Sequence, residues 1–80
     1  MPDLELTAVL ETLPRPGRLI VTTAAGEHWQ TIGIPTWRDD VPDTTDAVDQ
    51  LRAAGYEPAG LGVHGWRHAT RGYALEIRRR

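Results

Sequence analysis

Apolar positions recur along this chain in two different rhythms. Leu6, Val9, Leu10 and Leu13 fall at i, i+3, i+4 and i+7, the stripe of one helical face, and predict a helix over 3–13 with Asp3 as its N-cap. Pro14, Pro16 and Gly17 end it. Arg18 to Thr23 then reads as a strand, Ala24-Ala25-Gly26-Glu27 as a hairpin turn, and His28 to Thr36 as the return strand, with Pro35 marking an edge or exit. Trp37 to Pro42 reads as a loop. Asp43 is placed to cap a helix over 44–54, whose stripe is Ala47, Val48, Leu51 and Ala54, and Gly55 follows as a left-handed cap. Beyond it, Tyr56 to Trp66 is extended but broken by glycines. Arg67 to Gly72 reads as a turn, and Tyr73 to Arg78 alternates as a strand.

The implied order is helix, hairpin, helix, hairpin. That order predicts a single α+β domain over residues 1–80, with a four-stranded, largely antiparallel sheet and helices packed on it. A chain of 80 residues builds a thin core. Alternation assigns Leu19, Val21, Ile32, Ile34, Leu61, Val63, Tyr73, Leu75 and Ile77 to that core. It puts Ile20, Trp29, His64 and Trp66 on the opposite face, where two tryptophans and an isoleucine would form an apolar patch suited to a contact.

Composition narrows the chemistry. The chain has no Ser, Cys, Lys, Asn or Phe. The usual acyl-transfer nucleophiles, Schiff-base lysines and disulfides are therefore outside its repertoire. No acid–base or nucleophile pair stands out, which predicts a protein that is not an enzyme. Net charge is −2, unevenly spread. Residues 1–60 hold ten acids against four arginines, a net of −6, and residues 61–80 carry a net of +4. The N-terminal stretch lacks the basic start and apolar run of a signal peptide, and no stretch is long enough to span a membrane. A cytoplasmic protein that makes no membrane contact is the expectation.

Four patterns in the sequence suggest specific chemistry. Gly60-Leu61-Gly62-Val63-His64-Gly65 spells GxGxxG, but a helix precedes it and too little chain follows for a dinucleotide-binding unit, so it reads as a glycine-rich loop. Arg71-Gly72-Tyr73-Ala74 begins like an RNA-binding strand, yet Leu75, Glu76 and Arg78 break that pattern. His64 and His68 lie four apart in a segment without helical pattern, and the aspartates from Asp39 to Asp49 lack calcium-loop spacing. No metal or cofactor is expected.

Two binding functions remain. The preferred one is a protein-interaction module, acting on itself as a homodimer or on a larger protein as a regulator or inhibitor through the tryptophan-bearing face. The other is a nucleic-acid binder using segment 64–80, where Trp66 and Tyr73 would stack bases and the arginines would meet phosphates. The candidate contact residues are Trp29, His64, Trp66, Arg67, Arg71 and Arg78.

Overall fold

A computed structural model describes residues 5–60 and 64–80. It corrects the expected architecture: the described residues are mostly sheet with one helix, not a four-stranded sheet with helices packed on it. The elements are β1 (Leu6–Glu11), β2 (Arg18–Thr23), β3 (His28–Gly33), β4 (Trp37–Arg38), β5 (Val41–Pro42), α1 (Thr44–Ala53), β6 (Tyr56–Pro58), β7 (Arg67–Ala69) and β8 (Gly72–Arg79). Six strands form one antiparallel sheet in the order β3-β2-β1-β8-β6, with β7 also paired to β8. The short β4–β5 pair stands apart from it.

The largest correction is β1. Its residues carry a helical stripe, but Leu6, Ala8 and Leu10 also alternate with Thr7, Val9 and Glu11, and a short apolar run admits both periods. Pairing decides between them. Ala8 sits opposite Val21 on one side and Leu75 on the other, so this segment supplies the middle strand. The proposed cap, Asp3, lies outside the described residues. A second correction concerns the expected loop over Trp37 to Pro42. It is a tight hairpin whose central residues, Asp39 and Asp40, have φ of 51° and 65°, as a type I′ turn requires. The third is the expected turn over Arg67 to Gly72, whose first three residues form β7.

The segment before β8 is one edge strand broken in the middle. Pro58 pairs with Ile77 and Arg67 with Ala74, so only Leu75 and Glu76 of β8 separate the two pairings although eight positions of the sequence lie between Pro58 and Arg67. Period-2 reasoning cannot be carried across that mismatch. Trp66 accordingly packs against the core rather than facing away from it. Leu61 and Val63, and the centre of the GxGxxG stretch, lie outside the described residues. Register shifts in β3 break alternation in the same way. Ile34, assigned to the core from the sequence, is 63% exposed just past the end of that strand.

The helix follows expectation except at its end, where Ala54 is an exposed cap residue and not part of the buried stripe. Asp43 caps it by accepting from the Asp46 amide at 3.1 Å, and Gly55 follows with φ of 96°. Its face of Ala47, Val48 and Leu51 is buried among Leu10, Leu19, Val21, Leu75 and Tyr56. Burying the Val48 and Leu51 side chains contributes roughly 1.5–3 kcal/mol each. The helix packs against β6 and β3, which end the five-strand path on opposite sides. The sheet therefore curls, and its two edges meet: the Tyr56 hydroxyl donates to Gln30 Oε1 at 2.6 Å.

Candidate functional site

The curl separates the residues expected to act together. Trp29 lies on β3, at one edge of the path, and three strands stand between it and β7, where Arg67 sits. The strand is bulged at this point: His28, Trp29 and Gln30 oppose only Thr22 and Val21. Gln30 turns to the Tyr56 seam, and Trp29 is left 43% exposed. Ile20 is 6% exposed, so it does not extend an apolar patch around Trp29.

His64, Trp66 and Arg67 do come together. With Glu76 and Leu75 they line a cavity of about 320 Å³ beside the broken edge strand. His64 and Arg67 are exposed, and Trp66 is half-buried. The Trp66 indole Nε1 is buried with no acceptor among the described residues. His68 packs its ring against Tyr73, with centroids 5.2 Å apart, which occupies one aromatic face that base stacking would need.

Two of the candidate arginines are paired with carboxylates of the same chain. Arg78 Nε donates to Glu57 Oε1 at 2.8 Å, and Arg71 Nη1 donates to Glu11 Oε2 at 3.3 Å. These two lie seven residues apart along an extended chain, roughly 23 Å, so they serve different parts of the surface. Arg15 bonds Asp40 at 3.0 Å while its guanidinium lies 4.3 Å from the Trp37 ring centroid. The Trp37 indole donates to the Pro16 carbonyl at 2.7 Å, which joins the β1–β2 loop to the β4–β5 hairpin.

Sequence reasoning missed Glu11. Read as a helix, residues 3–13 give it no partner; as a strand, they place it opposite Arg18 and Gly72. Glu11 is 5% exposed, and its carboxylate receives hydrogen bonds from Arg18 and Arg71. The Arg18 bond, aided by Arg71 and by both positive charges, holds its pKa below the usual carboxylate range, against the opposing effect of burial. Asp46 is lowered as well, first by the Thr36 hydroxyl at 2.5 Å and then by the Gln50 amide at 2.9 Å. Among the described residues no three His, Asp or Glu side chains gather as a metal site would need, and no helix is long and apolar enough to cross a membrane.

Comparison with protein-family models, curated proteins and solved structures gives no match to this chain.

Proposed function

We propose that this protein is a non-catalytic interaction module that presents Trp29 on its edge strand to a protein partner. The observation that carries the reading is the exposure of Trp29 in a chain with only five aromatic residues, three Trp and two Tyr. A domain this small gains more from a buried indole than from a solvated one, and Trp is enriched among residues that anchor protein contacts. The negative balance of residues 1–60 favours a partner with an apolar pocket rimmed by basic groups. A second copy of the chain is the homodimer version of the same reading. Within it the protein works in the cytoplasm.

The nucleic-acid alternative is supported less well. Arg78 is engaged by Glu57, Trp66 packs into the core instead of offering an open ring, and His68 packs against Tyr73. Affinity built on phosphate contacts also falls steeply with salt.

Affinity capture from native lysate with wild type, Trp29→Ala and Arg78→Ala tests the choice. A specific partner held by wild type and Arg78→Ala but lost with Trp29→Ala is the expected result. Capture that ignores Trp29→Ala would refute the reading. Sedimentation across a concentration series tests the homodimer version, and a strictly monomeric protein would end it. Submicromolar, salt-steep oligonucleotide binding that depends on Arg78, Arg79 and Arg80 would move the assignment to nucleic acid.

A further inference from the structure

At the loop end of the sheet, a second cavity of about 320 Å³ is lined by Glu11, Leu13, Pro14, Gly17, Arg18 and Arg71. Its construction differs from an ordinary surface ion pair. Glu11 is 5% exposed and holds two arginines, one on each carboxylate oxygen. The backbone closes tightly around it. Gly17 has φ of 78° and lies so near that an added Cβ would sit 2.2 Å from the Glu11 carbonyl oxygen. On the other side, an added Cβ at Gly72 would sit 2.1 Å from the Leu10 carbonyl oxygen.

The charges do not cancel. Two guanidinium groups against one carboxylate leave one positive charge at the cavity. Arg18 spends its Nε and Arg71 one Nη on Glu11. A guanidinium has five N–H donors, and no other side-chain or backbone acceptor among the described residues meets either group. Both are more than half exposed, at 52% and 71%, so the remaining donors are open to a ligand. The wall beside them is apolar: Leu13 is 72% exposed, and Pro14 follows it.

We propose that this cavity binds a small monocarboxylate with an apolar body. The free donors of Arg18 and Arg71 hold the carboxylate, Leu13 and Pro14 receive the apolar group, and Glu11 positions the arginine pair from behind. One net positive charge matches one carboxylate better than a phosphate dianion. The volume lies at the lower end of small-molecule sites, whose range is roughly 300–1,000 Å³. The proposal does not depend on Trp29, which lies outside the cavity lining.

The test is an amide-resolved NMR titration of the full chain with three probes: N-acetylleucine, its uncharged amide analogue and inorganic phosphate. N-acetylleucine is expected to give saturable shifts at Glu11, Gly17, Arg18, Arg71 and Gly72. Losing the charge-assisted hydrogen bonds weakens the amide analogue roughly tenfold to a hundredfold. Arg71→Gln, a change at an exposed side chain, retains the folded spectrum and weakens N-acetylleucine by a similar factor. Absence of saturable shifts at these amides overturns the proposal. So does equal binding of the amide analogue, tighter binding of phosphate, or an affinity unchanged in Arg71→Gln.

Discussion

Four glycines with positive φ make a controlled experiment on how tightly the loop end of the sheet is built. Gly26 and Gly55 have φ of 83° and 96°, and a Cβ added at either meets nothing within 4 Å. Replacing them with alanine costs only the left-handed backbone, about 1–2 kcal/mol, partly offset by about 0.4–1 kcal/mol from a less free unfolded chain. Gly17 has a similar φ of 78°, but its added Cβ would lie 2.2 Å from the Glu11 carbonyl oxygen and 3.3 Å from Thr12 Cα. Gly72, with φ of 153°, would place one 2.1 Å from the Leu10 oxygen and 3.1 Å from the Thr12 nitrogen. Each obstacle is backbone, so β1 or the facing segment must move by about 1 Å to restore ordinary contact. Retreat is hindered on the Gly17 side. Its own amide bonds the Pro14 carbonyl at 2.8 Å, and Trp37 holds Pro16.

Adding an overpacking cost of about 1–3 kcal/mol brings Gly17→Ala and Gly72→Ala to roughly 2–4 kcal/mol. Total stability for a chain of this length is about 4–12 kcal/mol, so the loss takes a large share. Urea unfolding followed by tryptophan fluorescence and circular dichroism reads all four variants. In thermal scans each kcal/mol corresponds to roughly 4–8 °C. If Gly17→Ala and Gly72→Ala lose no more than Gly26→Ala and Gly55→Ala, the close backbone approach around Glu11 is refuted. The preorganised arginine pair then loses its basis as well.

Glu11 should make stability depend on pH. A carboxylate whose folded pKa lies below its unfolded value contributes stability that is fully present above that unfolded value, about 4.5, and is lost as pH falls through the folded value. Urea unfolding at about pH 6 and about pH 3 should therefore show a steeper loss for wild type than for Glu11→Gln, and parallel losses would contradict it. Removing the helix cap with Asp43→Ala should cost about 1 kcal/mol by the same assay, because the Asp46 amide loses its acceptor. Trp29→Ala should change stability by less than about 1 kcal/mol, whereas Trp66→Ala should cost more than about 2 kcal/mol, since only Trp66 packs against the core. Equal losses at the two tryptophans would mean that the exposed indole is a structural residue.

What the sequence by itself determined were the features that depend on near neighbours. The helix from Thr44, its Asp43 cap, the glycine that follows it and the β2–β3 hairpin were legible because caps, stripes and turns are written within a few residues. The tertiary structure decided whatever depended on pairing. Leu6 to Glu11 became the middle strand because two other strands satisfy its backbone on both sides, which a helical stripe in isolation does not reveal. Trp66 turned into the core because the edge strand breaks between Pro58 and Arg67 and resets the alternation. The Glu11 cluster joins positions up to 60 residues apart, and no local spacing announces it. Its parts were visible as an acid, two arginines and two glycines, but only the fold of β1 between β2 and β8 brings them to one place.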